Sequence, residues 1–304
     1  MKILLTGGAG YLGNIVTRKL LDQKHEVVII DNLIHGSSGC TGLFQIQLND
    51  NSCLIKDDIK NIKKYDNHFQ DVDIVFHFAA LADLGQSLKK PLDTVNLNIL
   101  GTVQALELCR KHKIKRFIYA STIYVNSIEG GFYRSSKRAA EDYIEEYRKF
   151  YGINYTILRF GSLYGPRSDN SNGVKIILKN AIYKKELTYS GTKKTVRNYI
   201  HVLDAAKACA ETLNKRYKNK YLTITGNKKL RLGMFLKKLS KIFNITKKIK
   251  FKNKKAIGHY ETTPFTYKFK KGENFKIKSN IDIYSGILQL IEEIKNEKNY
   301  KNYN

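Results

Sequence analysis

The tightest constraint on this chain lies at its amino end. Lys2-Ile3-Leu4-Leu5 runs into Thr6-Gly7-Gly8-Ala9-Gly10-Tyr11-Leu12-Gly13, and a second apolar run, Glu26-Val27-Val28-Ile29-Ile30, ends at Asp31. Strand, glycine turn, helix, strand and acid in that order predict a βαβ unit that holds a dinucleotide. One glycine permits the turn, a second lets backbone N–H groups approach a pyrophosphate, and a third lets the helix pack on the strand. The positive end of the helix then faces the phosphates. The glycines read in two registers, Gly8-x-Gly10-x-x-Gly13 or Gly7-x-x-Gly10-x-x-Gly13. Asp31 follows Gly13 by 18 residues, where a carboxylate accepts hydrogen bonds from both hydroxyls of an adenosine ribose. A 2′-phosphate would meet a like charge there with no neighbouring Arg, so the expected cofactor is NAD.

With 304 residues, the chain is long enough for one large domain or two ordinary ones. Met1 leads directly into a strand and no apolar run reaches the ~20 residues of a membrane span, so a cytoplasmic protein without a signal peptide or membrane span is expected. Cys40, Cys53, Cys109 and Cys209 are scattered without metal-ligand or CxxC spacing, which predicts reduced, mostly buried thiols and no metal site. Charge is uneven: residues 1–150 carry 20 Lys+Arg against 17 Asp+Glu, and residues 151–304 carry 34 against 10. A phosphorylated substrate needs only a few of these cations. Most of the excess reads as a compositional bias toward Lys, Asn and Ile, with no specific nucleic-acid partner.

Further along, Cys53 to Ile59 offers a short strand ending in Asp57 and Asp58. Asp73 to Ala80 is a buried strand ending in the small residues that let a dinucleotide lie close to the backbone. His77 within it is expected to be packed and hydrogen-bonded rather than chemically active. Pro91 starts a helix that continues through Asn98, Gly101 and Thr102 to Lys111. Arg116 to Thr122 returns as a strand ending in two hydroxyls. Eleven residues later, Tyr133-Arg134-Ser135-Ser136-Lys137 opens a helix running to Phe150. Tyr and Lys four apart share a helix face. An ammonium beside a phenol favours the phenolate, and a bound nicotinamide would add a further positive charge, so Tyr133 is expected to serve as a base near neutral pH.

These motifs, together with Arg159-Phe160-Gly161-Ser162-Leu163-Tyr164-Gly165-Pro166-Arg167 and Arg197-Asn198-Tyr199-Ile200-His201-Val202 with Asp204, resemble the extended short-chain dehydrogenase/reductases, the NAD-dependent sugar-nucleotide epimerase/dehydratase group. The resemblance covers roughly residues 1–210. His77-Phe78-Ala79-Ala80-Leu81, Gly85-x-Ser87 and Pro91-Leu92 are most similar to the UDP-galactose 4-epimerases. It implies an α/β fold, a Rossmann-type doubly wound parallel sheet over residues 1–165 with a returning segment near 195–215, and a smaller C-terminal α/β substrate domain over 166–304. It also implies a homodimer through helices near 98–112 and 133–150.

In site terms the resemblance places Gly7, Gly10, Tyr11, Leu12 and Gly13 at the cofactor's pyrophosphate and Asp31 and Asn32 at its ribose. Asp58 and Ile59 fall at the adenine, and Phe78, Ala79, Ala80 and Asn98 along the dinucleotide. Tyr133 would take a proton from a sugar hydroxyl, most naturally O4, Lys137 would hold the nicotinamide ribose, and Thr122 would hydrogen-bond the reacting oxygen. Ser121, Ser162, Arg167 and Arg197 would contact a nucleotide-diphosphate sugar, with Arg197 clamping the diphosphate.

The 4,6-dehydratases of the group carry an Asp-Glu pair directly after the strand-terminal Thr. Here Ile123 and Tyr124 stand there and do no such acid/base work. A decarboxylase would need a sugar that carries a carboxylate, a reductase would usually favour NADP, and a binding protein without turnover would not need an intact Thr122, Tyr133 and Lys137. Three departures predict a differently shaped pocket. The segment between Thr122 and Tyr133 is short, Ser162 replaces an expected Asn, and a distal Arg has no match, with Lys268, Lys270 or Lys271 as substitutes. Helices are expected over 174–185, 232–243 and 281–294, with a polar tail after them.

Overall fold

The protein is described from a computed structural model, which defines residues 1–34, 52–166, 168, 171–226, 229–245, 249–252 and 259–266. Arg167, Cys40, Lys268, Lys270, Lys271 and the expected helix over 281–294 lie outside these residues. In chain order the first half runs β1 (Lys2–Thr6), α1 (Tyr11–Asp22), β2 (Glu26–Asp31), β3 (Ser52–Lys56), 3-10 turns over Ile59–Phe69, β4 (Ile74–His77), α2 (Leu84–Lys89), α3 (Pro91–Val95), a π-helical turn (Asn96–Leu100), α4 (Gly101–Lys111), β5 (Arg116–Thr122), a 3-10 turn (Ile123–Asn126) and α5 (Gly131–Tyr151). It continues with β6 (Asn154–Phe160), β7 (Ser162–Tyr164), α6 (Gly173–Lys184), β8 (Thr188–Tyr189), β9 (Val196–Arg197), β10 (Tyr199–His201), α7 (Val202–Glu211), β11 (Lys220–Ile224), β12 (Leu230–Arg231), α8 (Leu232–Ile242) and β13 (Lys250–Phe251).

Seven strands form one sheet in the order β11-β6-β5-β4-β1-β2-β3, with every pairing parallel. Both faces of such a sheet must be covered, which explains strands as uniformly apolar as Ile3 to Leu5 and Val27 to Ile30. One face packs residues of α1 and α7 against Ile3, Leu5, Ile118 and Leu158. On the other, the 3-10 segment, α4 and α5 close over Leu4, Phe117, Tyr119 and Ile157. The strand order reverses between β1 and β4, so the crevice at their carboxyl ends is where a doubly wound sheet receives its ligand.

The segment expected to rejoin the sheet near 195–215 divides its duties. β10 pairs with β7 outside the main sheet, while α7 packs on α1. It is β11, a strand without a clear sequence signal, that joins the sheet at its edge beside β6. A smaller core gathers Ile177 and Ala181 of α6 with Leu236 and Leu239 of α8, where helices were expected. Leu92, Val95, Leu100, Tyr143 and Phe150 are exposed on α3, the π turn and α5. Among the described residues no helix is long and apolar enough to cross a membrane. Cys109 and Cys209 are buried free thiols and Cys53 is exposed; burial pushes both buried thiols well above their ordinary value.

Candidate active site

The structure settles the glycine register. Gly7 has φ +70°, and a Cβ there would lie 2.5 Å from the Ala79 nitrogen, so β4 and the turn meet backbone to backbone. A Cβ on Gly13 would lie 2.1 Å from the Gly7 carbonyl oxygen. Gly7 and Gly13 are thus positions where backbone leaves no room for a side chain. Gly8 turns inward, where a Cβ would press on Ile29 Cγ2 at 2.9 Å. Gly10 opens α1 in extended conformation with no side-chain cap, so Tyr11 and Leu12 begin a helix whose first turn suits an anion. The close backbone approaches at Gly7 and Gly13 and the uncapped first turn of α1 fit a dinucleotide pyrophosphate.

Asp31 stands beside the turn and braces it: Ala9 N donates to Oδ2 at 2.9 Å and Leu33 N to Oδ1 at 2.8 Å. Asn32 Nδ2 donates to Asp58 Oδ2 at 3.0 Å, bringing these two expected cofactor residues together. Asp58 also caps the 3-10 segment through Lys60 N. The more heavily bonded acid is its neighbour. Asp57 accepts from Asp58 N, Asn61 and Tyr65, and these bonds, led by that from Asn61, pull its carboxyl down to about 2. Ile59 is buried and packs on Gly101.

Phe78 N and Ala79 N both donate to the Thr6 carbonyl, at 2.9 and 3.1 Å, keeping residues 78–80 against the turn. Asn98 is buried behind them. Its Oδ1 accepts from Leu81 N at 2.7 Å, and Nδ2 donates to Leu81 O at 3.1 Å and Ser136 Oγ at 2.9 Å. Both amide hydrogens are therefore committed, and Asn98 acts by clasping the 79–83 loop to α5.

His77 is as inert as expected. It lies between Thr6 Oγ1 at 2.7 Å and Thr102 Oγ1 at 3.0 Å and stacks on Tyr119. Burial, with a smaller effect of Lys137, pushes its pKa down to about 3. Because the folded value lies below the unfolded one, His77 leaves stability intact above pH ~6.5. As pH falls toward 3 the unfolded chain takes up a proton that the folded chain refuses. Urea unfolding is expected to lose up to about 3 kcal/mol from this group between pH 7 and 4. His77→Asn should flatten that slope, and an unchanged slope would refute the assignment.

At the end of β5, Thr122 accepts from Tyr124 N at 3.3 Å, and its side chain stands beside the Tyr133 phenol. Helix α5 opens on Gly130 and Gly131, both with positive φ, and so sets Tyr133 in its first turn. Lys137, one turn on, is 3% exposed. Its Nζ donates to Ala120 O at 2.8 Å and lies 4.7 Å over the Tyr119 ring. Burial pulls this lysine down to about 7 against an opposing pull from Glu141. Burial pushes the Tyr133 phenol up to about 12, and Thr122 only partly offsets it. With Lys137 Nζ turned to the Ala120 carbonyl, burial leaves the Tyr133 phenol high in these residues alone.

The expected role of Ser121 is corrected. Its hydroxyl donates to Glu141 Oε1 at 2.5 Å, so it faces α5 and not a substrate. Ser162 lies in β7, its N–H donating to Asn198 O at 2.8 Å. Arg197 is buried, and its Nη1 donates to Val196 O at 2.9 Å and Tyr260 O at 2.6 Å. It lines a cleft with Ser190, Thr192, His259 and Glu261. Residues 259–266 are a part of the site that sequence reasoning missed, having no periodic pattern. Tyr124 OH bonds His259 Nδ1 at 2.8 Å, and Thr266 N donates to Asn126 O at 2.9 Å. Burial pushes Tyr124 above its ordinary value and His259 down to about 4, so both stand neutral.

A doubly wound sheet, a glycine cradle backed by an acid, and a Tyr-Lys pair on the helix after β5 define a short-chain dehydrogenase/reductase fold with a dinucleotide site. The chain belongs to the NAD dependent epimerase/dehydratase family, which matches residues 3–224, and NAD is its cofactor. A UDP-glucose 4-epimerase of Halalkalibacterium halodurans is 29% identical over 237 residues, covering 68% of this chain and 69% of that protein. A Bacillus cereus UDP-glucuronic acid 4-epimerase, in complex with UDP-glucuronic acid and NAD, is similar at TM-score 0.78 and 27% identity, covering 86% of this chain and 89% of that one. The UDP-glucose 4-epimerase of Thermotoga maritima with UDP-glucose gives TM-score 0.75 and 28% identity, with 86% and 90% covered.

Proposed function

We propose that this chain epimerises a UDP-sugar at C4 through a transient 4-keto sugar. The observation that carries the reading is the placement of the Tyr133 phenol beside Thr122 at the end of β5, with Lys137 one helical turn beyond it and bonded to the Ala120 carbonyl. NAD held in the glycine cradle would supply the redox chemistry, and its positive charge would join that of Lys137 in favouring the Tyr133 phenolate. Tyr133 takes the O4 proton and later returns it. Thr122 hydrogen-bonds the same oxygen as charge develops there. Lys137 holds the nicotinamide ribose, Asp31 and Asn32 the adenosine ribose, and Asp58 and the Ile59 backbone the adenine. Arg197, fixed through Nη1, offers the rest of its fork to the diphosphate. Residues 1–165 with 195–215 serve NAD, and 166–304 mainly the sugar nucleotide.

The neighbours named as 4-epimerases of UDP-sugars support this reading over a decarboxylase or reductase. Ile123 and Tyr124, where the dehydratases have their Asp-Glu pair, support it over 4,6-dehydration. Incubation with UDP-, GDP- and TDP-sugars in deuterated water, followed by NMR, tests it. A UDP-sugar should yield its C4 epimer with no solvent deuterium at C4. Deuterium at C5 would point to another reaction, and silence from every sugar would leave a binding protein.

A further inference from the structure

We propose that Glu141 is a positioning residue for Lys137: anchored on β5 and β6 by Ser121 and Arg159, it sets the placement and charge of the lysine beside Thr122. This rests on the reading of Tyr133 and Lys137 as the reacting pair and the cofactor's anchor.

Tyr133, Lys137 and Glu141 follow one another at steps of four along one face of α5. Each side chain meets one of three consecutive residues of β5. Tyr133 stands beside Thr122, Lys137 Nζ donates to the Ala120 carbonyl at 2.8 Å, and Glu141 Oε1 accepts from Ser121 Oγ at 2.5 Å. Arg159 is the register partner of Ser121 across the β5–β6 pair. Its fork closes on the same carboxylate, Nε to Oε1 at 3.1 Å and Nη2 to Oε2 at 2.6 Å. The guanidinium is backed in turn by the Tyr221 ring of β11, 4.4 Å away. Glu141 is therefore fixed from two strands, and the helix cannot slide or rotate without breaking the bonds of Lys137 and Glu141.

Fastening a helix to a sheet does not require a charge. Burying a carboxylate costs several kcal/mol before its partners are counted, and apolar residues of the same volume would brace as well. What apolar residues would lack is an anion beside a buried amine. The groups facing Lys137 are Tyr133 and Glu141 from α5, the Tyr119 ring from β5 and His77 from β4, with Arg159 of β6 beyond Glu141. Among these only Glu141 carries negative charge, since His77 is neutral and Tyr133 is held as a phenol. Glu141 opposes the burial that favours the free amine, and a free amine could not supply cationic help to a phenolate.

The test reads the lysine directly. In the full-length protein labelled with ¹³Cε-lysine, the Lys137 resonance is identified by its loss in Lys137→Met and titrated by NMR. Its midpoint is expected near 7, and Glu141→Gln should lower it by about one pH unit or more. Glu141→Asp, which keeps a charge for Arg159 and stands in if the Gln variant does not fold, should shift it the same way by less. The alkaline limb of kcat/KM should move in parallel. A midpoint unmoved in the folded variant, even with a lower Tm, would show a plain brace and overturn the proposal. If the wild-type protein turns over no sugar nucleotide yet the midpoint shifts, the 4-epimerase reading fails while the coupling of Glu141 to Lys137 stands.

Discussion

Tyr133→Phe is expected to lower turnover by about 10²–10⁴-fold while the purified protein keeps its NAD. The ring fills the same space in the first turn of α5, so the helix, its glycine opening and the grips of Lys137 and Glu141 are retained. What disappears is the hydroxyl that stands beside Thr122 and, in the proposed mechanism, exchanges a proton with the sugar. That mechanism places the cofactor's pyrophosphate and adenosine contacts elsewhere, at the glycine turn and Asp31. Turnover from the appearance of product epimer, alongside NAD released by acid, separates the two effects. Activity within a few-fold of wild type would remove Tyr133 as the base, and loss of NAD with turnover would mean that the phenol holds cofactor rather than moving protons.

Gly13→Ala should be nearly as damaging for a mechanical reason. The added Cβ would lie 2.1 Å from the Gly7 carbonyl oxygen and 2.9 Å from Gly8 Cα. Both obstacles are backbone, so no side chain can swing aside. Either the turn opens or α1 moves away from β1, and each outcome spoils the pyrophosphate cradle. The expected result is loss of bound NAD and about 3 kcal/mol or more of stability. Gly173→Ala is the matched control, since a Cβ there meets nothing within 4 Å. If Gly13→Ala kept wild-type NAD content and Tm, the close approach of α1 to the turn would not be what the triplet exists to provide.

The parts of the site that sequence made legible are those in which backbone geometry dictates residue type. A turn that brings Gly7 against Ala79 tolerates no side chain, and an acid closing β2 announces a ribose. A Tyr and a Lys four apart on the helix after a strand ending in hydroxyls leave little freedom. Ser121 shows a signal that was present and unused. Phe117, Tyr119 and Ser121 alternate along β5 and share a face; the first two lie in the core under α5, so the third points there too, toward Glu141. Other features depend on residues distant in sequence. Arg197 is set by the Tyr260 carbonyl, and residues 259–266 reach Tyr124 and Asn126 with no periodicity to betray them. The edge strand β11, part polar and only half-buried, shows little of the apolar run that marks the inner strands.

Asn98 holds Leu81 by both its N–H and its carbonyl, and holds Ser136 of α5 with the remaining amide hydrogen. One side chain thus stands in for a short stretch of strand pairing, and it ties a loop beside the cofactor crevice to the helix that carries Tyr133 and Lys137. The disorder that a ligand would otherwise have to remove from this loop is already removed when the chain folds. A resident cofactor therefore meets a surface with little freedom left to lose, which favours long residence over rapid exchange. That suits the proposed epimerisation, in which the cofactor is reduced and reoxidised on the same sugar without leaving.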